Sequence, residues 1–296
     1  MINKSIWYDY LTLCKPRVVL LMLITAWVGM FLASHSMLTA WPIFIYATVG
    51  IAAAASAAAT LNHVLDRHID SKMLRTSLRP IATGRITLWQ ASLFCLLLLA
   101  TAGFILINFV NNLATILTFA SLIGYAIIYT LYLKRTTSQN IVIGGLSGAM
   151  PPVLGWTAIT GSLHPFSLLL ALIIFVWTPP HFWALAIYRA NDYKTANIPM
   201  LPVTHGIKFT KLNLLLYTIL LFAVCILPCA AKFSGIIYLI ACCILNSIFI
   251  YRAWCLYRAD QKHEHALAIK IFNFSIVYLF LLFTVLIIDH QFGVYL

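Results

Sequence analysis

Residues 41–70 read WPIFIYATVGIAAAASAAATLNHVLDRHID. The first 25 of them include no Asp, Glu, Lys or Arg, and Asp66 and Asp70 then follow Asn62 at intervals of four. An uncharged run of this length suits a helix that crosses a bilayer, which needs about 20 apolar residues. The pattern recurs along the chain. Six stretches, 18–65, 86–133, 136–188, 212–231, 233–251 and 271–288, carry no charged residue and together make up 206 of the 296 residues. Only 9% of the chain is charged and 62% is apolar, against about a quarter and about half in soluble domains. A soluble enzyme is excluded; the chain reads as an all-α integral membrane protein.

The three long stretches have room for two helices each and the three short ones for one, which predicts nine transmembrane spans. They are expected at 17–35, 41–61, 88–107, 113–133, 141–160, 166–188, 212–231, 234–254 and 270–289. The hairpin turns are expected at Ser34-His35-Ser36, at Asn108 to Asn112 and at Thr160 to Pro165. Nine spans divide the Lys and Arg residues 18 to 1, with Lys232 alone on the far side. Positive loops stay cytoplasmic, so the expected protein is multi-pass in the inner (cytoplasmic) membrane, N-terminus cytoplasmic and C-terminus outside. The net charge of +12 then serves topology and contact with the anionic lipid bilayer, and no nucleic-acid partner is expected. No segment reads as a cleaved signal peptide. The seven cysteines form no CxxC and read as packing residues. Residues 1–296 are expected to form a single transmembrane domain.

Seven acids occur in the whole chain, so the two in the opening segment stand out. On a helix, Asn62, Asp66 and Asp70 line one face, about 6 Å apart per step. A carbonyl and two carboxylates form a small oxygen set that suits Mg²⁺, which keeps waters and shares itself with substrate phosphates. Arg75 and Arg79 follow closely. Metal plus cations is what a diphosphate leaving group requires, because both neutralise charge that grows as the C–O bond breaks. A second polar cluster ends span 6 as Trp177-Thr178-Pro179-Pro180-His181-Phe182-Trp183 and continues to Asp192. The proline pair breaks the backbone ladder, which membranes tolerate where the break lines a cavity. His181, directly after it, reads as a ligand contact. At the end of span 4, Tyr125, Tyr129, Tyr132, Lys134 and Arg135 read as interface anchors and topology-setting cations. Gly144 and Gly148 read as a helix-packing face.

The NxxxDxxxD stripe of Asn62, Asp66 and Asp70, with Arg75-Thr76 and Arg79-Pro80 behind it, resembles the first acidic motif of the UbiA-type intramembrane prenyltransferase superfamily. Cys14-Lys15-Pro16-Arg17-Val18, YTLYLKRTTSQN, GGLSGAMPPVLGW, WTPPHFWALA and DYKTANIPMLPV resemble its heme O synthase branch. Together these segments run to about residue 203, two thirds of the chain. The resemblance implies nine helices in a bundle around a central cavity, with farnesyl diphosphate and heme B as substrates and Mg²⁺ as cofactor. It implies that Asn62, Asp66 and Asp70 hold the metal, that Arg75, Arg79, Lys134 and Arg135 grip the diphosphate, and that Tyr129 faces the allylic cation. It places Asp192 in a second metal site and His181, Trp177 and Trp183 in the acceptor pocket. Many members carry a second DxxxD, whereas Ala196 stands four residues after Asp192, so one acid would act there with water. A hand-off of heme O to a heme A synthase or terminal oxidase is also implied.

Two other readings are weighed against this one. A UbiA-type enzyme that prenylates a quinone-precursor ring would share the acidic stripe but not WTPPHFWALA or IPMLPV. A transporter or heme-binding membrane protein would place its ionisable residues nearer the midplane. Asp66, Asp70 and Asp192 all fall on one face instead.

Overall fold

The computed structural model describes residues 6–34, 37–71 and 76–292. Among these residues nine helices are long and apolar enough to cross a membrane: Pro16–Ala33, Ala40–Leu65, Leu88–Phe109, Asn112–Leu133, Asn140–Thr160, Pro165–Tyr188, Gly206–Ala230, Ile236–Arg258 and Gln261–Phe292. They are called spans 1 to 9 below, and the protein is a multi-pass membrane protein. Span 2 runs four residues past its expected end, and spans 7 and 9 start six and nine residues early. The reason is physical. An uncharged run measures the apolar thickness of the bilayer, whereas helix hydrogen bonding continues past it through Lys208, Lys211, Lys262 and Glu264, of which Lys211 and Glu264 are buried and pair at 3.3 Å.

The expected turns have local causes. Span 1 stops at Ser34, which is extended; His35 and Ser36 lie outside the described residues. Asn111 caps span 4 by accepting the Ala114 N–H at 2.9 Å. Gly161, at φ +67°, closes span 5 in the left-handed region that glycine adopts at least cost.

The chain divides into two compact units, one of residues 1–135 with 150–163 and one of residues 136–149 with 164–296. In the first unit, span 1 crosses the helix Pro151–Thr160 with backbone nearly touching backbone. A Cβ on Gly29 would lie 2.1 Å from the Pro152 carbonyl oxygen, and one on Gly155 would lie 1.9 Å from that of Ala26. Span 2 lies along span 3, with Ala53, Ala54, Ala57 and Ala58 buried against Cys95 and Ala102. Small side chains allow this approach, and it anchors the end of span 2 that bears the acidic stripe.

In the second unit, spans 6, 7, 8 and 9 pack in succession and span 9 returns to span 6, closing a four-helix ring. The helix Asn140–Ala149 lies along span 6. Its contact is made by Gly145, whose Cβ would lie 3.0 Å from Thr178 Cγ2, while a Cβ on Gly148 would meet nothing within 4 Å. The face in contact is therefore offset by one position from the expected Gly144/Gly148 pair. Span 6 is continuous through Pro179 and Pro180, so the proline pair removes two N–H donors without interrupting the helix.

Span 8 begins at Ile236 with no side-chain cap of its own. Fully buried Asp289, from span 9, accepts the Gly235 N–H at 2.6 Å and the Tyr238 N–H at 3.1 Å. Asp289→Ala would strand both donors and is expected to cost about 2 kcal/mol, read as a lower midpoint of thermal unfolding in detergent.

Candidate active site

Span 2 ends at Leu65, Asp66 adopts φ −89° and ψ 3°, and Arg67–Asp70 adds one more helical turn. The kink does not break the register. Asp66 N donates to the Asn62 carbonyl at 2.9 Å and Asp70 N to the Asp66 carbonyl at 2.8 Å. The expected stripe of Asn62, Asp66 and Asp70 is therefore present, and all three are buried.

Two carboxylates this deep need compensating charge. Lys134 Nζ lies 2.5 Å from Asp66 Oδ2, and one Arg79 nitrogen donates to both Asp70 oxygens at 2.7 Å. Asn62 Nδ2 donates to Asp66 Oδ2 at 2.9 Å and to Thr130 Oγ1 at 3.3 Å, tying the stripe together and to span 4. Arg79 and Lys134 thus stand at the site, but each is engaged by an acid. Arg75 and the Arg135 side chain lie outside the described residues.

A third cation completes the group. Lys15 Nζ donates to Asn62 Oδ1 at 2.6 Å. Lys15 has φ +50° directly before Pro16, a conformation that costs energy for a residue with a side chain and more so before proline. Its charge also opposes the positive N-terminal end of span 1. Burial, followed by the charges of Arg79 and Lys134, lowers its amine from the ordinary lysine value to about 7. Lys15, Arg79 and Lys134 thus bring three nitrogen donors to Asn62, Asp70 and Asp66.

Span 4 changes its winding beside this group, from an α-helix over Asn112–Ile123 to a π-helix over Gly124–Leu133. Thr130 Oγ1 accordingly donates to the carbonyl five residues back, that of Tyr125, at 3.0 Å. The wider turn shifts which side chains face inward, and it accompanies the contacts of Thr130 with Asn62 and Lys134 with Asp66. Tyr129 is half-buried and stacks on Tyr125, with ring centroids 5.6 Å apart.

Asp66 Oδ1 and both ring nitrogens of His63 are buried without a partner among the described residues. Buried polar atoms are rarely left so, and an orphan carboxylate oxygen calls for a positive group. With Asn62 and Asp70 alongside, this donor set fits Mg²⁺, a hard ion that accepts few protein oxygens and completes its shell with water and phosphate. Among the described residues no three His, Cys, Asp or Glu side chains gather into a metal-binding group.

The remaining expected residues lie in the second unit. His181 stacks with Trp177 and with Phe272, with centroids 4.3 and 4.5 Å away. Trp177 Nε1 donates to the Ser275 carbonyl at 2.9 Å. Trp183 does not join them. Two residues along a helix turn it about 200° from His181, and it packs edge-on against Tyr217 at 5.1 Å. Asp192 is partly exposed and accepts from Arg189 at 3.2 Å. Sequence reasoning missed Lys15, Thr130 and Ser275. Of these, Lys15 alone left a signal, a cation placed against a helix N-terminus.

A model of the UbiA prenyltransferase family matches residues 22–286. A curated protoheme IX farnesyltransferase of Legionella pneumophila (strain Paris) is 55% identical over 286 residues, covering 97% of this chain and 96% of its own. A solved structure of a digeranylgeranylglyceryl phosphate synthase superposes with a TM-score of 0.78 at 20% identity, covering 96% of this chain and 98% of its own. A UbiA homolog from Archaeoglobus fulgidus, bound to GPP and Mg²⁺, superposes with a TM-score of 0.62 at 17% identity, covering 93% and 99%. With a family match across both units and a full-length relative that shares more than half its residues, this chain belongs to the UbiA prenyltransferase family.

Proposed function

We propose that the chain transfers the farnesyl group of farnesyl diphosphate to a vinyl group of heme B, giving heme O. The observation that carries the site is Asp66, 1% exposed, with Lys134 on one carboxylate oxygen and no partner among the described residues on the other. The near-full-length relative named for heme farnesylation supports the choice of acceptor. Asn62, Asp66 and Asp70 would hold Mg²⁺, which when bound neutralises charge on the departing diphosphate. Asp192 is read as the single acid of a second, water-completed metal position.

Lys15, Arg79 and Lys134, with Arg75 and Arg135, bind the diphosphate oxygens, and the diphosphate charge favours the protonated form of the Lys15 amine. The Tyr129 face, already stacked on Tyr125, stabilises the allylic cation. Trp177 and His181 meet the acceptor, and Trp183 supports their helix from its other face. We read residues 1–296 as one catalytic domain in the inner membrane, with the N-terminus cytoplasmic. Heme O then passes to a heme A synthase or terminal oxidase.

Purified chain in lipid nanodiscs, given farnesyl diphosphate, heme B and Mg²⁺, is expected to yield heme O by mass spectrometry. Unmodified heme alongside a prenylated phenolic acid would overturn this in favour of the quinone-precursor reading. Arg79→Ala is expected to raise KM for farnesyl diphosphate about tenfold or more, because a charge-assisted contact to the diphosphate is lost. Steady-state rates against farnesyl diphosphate concentration check this.

A further inference from the structure

The His181 ring is held in one tautomer. Its Nδ1 lies 2.6 Å from Ser275 Oγ, and the Ser275 hydroxyl donates to the Phe272 carbonyl at 2.7 Å. A carbonyl only accepts, so the single serine hydrogen is committed to Phe272 and the serine oxygen is left to accept from Nδ1–H. A neutral imidazole protonated on Nδ1 carries its lone pair on Nε2. That nitrogen has no hydrogen-bond partner among the described residues, and it is not sealed in as Trp183 Nε1 is. Trp177 and Phe272 both stack on the ring, and the Trp177 bond to the Ser275 carbonyl ties the same two helices together. The ring is therefore held by its neighbours, donates through Nδ1 and is open at one atom.

That atom can take a proton or a metal. Protonation would bury a cation among aromatic rings, and among the described residues no carboxylate forms an ion pair with His181. Such a cation is costly. A metal–imidazole bond leaves the ring neutral, and a histidine whose other nitrogen donates to a fixed acceptor is the usual form of a metal ligand.

We propose that His181 Nε2 ligates the iron of the heme acceptor and that Ser275 is the positioning residue that fixes the ligating tautomer. This rests on heme B being the acceptor. The bond fixes the porphyrin relative to spans 6 and 9, and so determines which part of its rim is presented for prenylation.

The test is resonance Raman spectroscopy of ferrous heme B bound to the purified full chain, with heme O production measured in parallel. Wild type is expected to show an iron–imidazole stretch. His181→Phe, which keeps the aromatic stack, is expected to lose it, and His181→Gly is expected to regain it on addition of imidazole. Ser275→Ala is expected to shift the band and weaken heme binding about tenfold, with Ser275→Thr restoring both. Failure of wild type to make heme O would overturn the acceptor assignment. If wild type makes heme O but shows no such band, or if folded His181→Phe keeps it unchanged, the ligation proposal alone is overturned.

Discussion

Asp66→Asn is expected to lower kcat/KM for heme farnesylation by about 10²- to 10³-fold, the scale on which an enzyme loses rate when one charge-stabilising group is removed. The substitution keeps the shape of the side chain and removes the charge that faces Lys134 on one side and, among the described residues, is unmatched on the other. Stability responds differently. The Lys134 ammonium becomes an uncompensated, partly buried charge, so the single variant is destabilised, and adding Lys134→Met relieves it without restoring activity. Heme O formation and thermal unfolding of the two variants check both halves. Full activity in folded Asp66→Asn would remove Asp66 from the chemistry.

Gly155→Ala is expected to destabilise the protein by about 3 kcal/mol, at the upper end of the cost of forcing a methyl into a packed interior. The new carbon would stand 1.9 Å from the Ala26 carbonyl oxygen. That atom is backbone in a helix, so no side chain can swing aside, and span 1 must move off Pro151–Thr160. Gly148→Ala is the matching control. Its added carbon meets nothing within 4 Å, so it is expected to stay within about 0.5 kcal/mol of wild type. Thermal unfolding of the two purified variants distinguishes them.

The nine spans were legible because bilayer crossing imposes a crude rule, apolar length without charge, that composition obeys directly. The Asn62, Asp66, Asp70 stripe was legible because helical periodicity survives the kink at Asp66. The offset of Trp183 from His181 was available from the same periodicity, although the resemblance placed both in one pocket. Other features lie beyond local pattern. Lys15 meets Asn62 across 47 residues and Lys134 meets Asp66 across 68, contacts that only helix packing creates. The π-helix over Gly124–Leu133 follows residues of ordinary helical character, and its winding belongs to the tertiary contacts it serves. Ser275 is one hydroxyl in an apolar span, marked as important only by the ring it touches.

Mn²⁺ is a paramagnetic substitute for Mg²⁺, and its electron paramagnetic resonance during titration of the purified chain reads metal binding directly. With farnesyl diphosphate present, wild type is expected to bind Mn²⁺ tightly, and Asp66→Asn and Asp70→Asn are each expected to lose that binding while staying folded. Equal Mn²⁺ binding by wild type and both variants would contradict the assignment of the oxygen stripe to the metal and diphosphate.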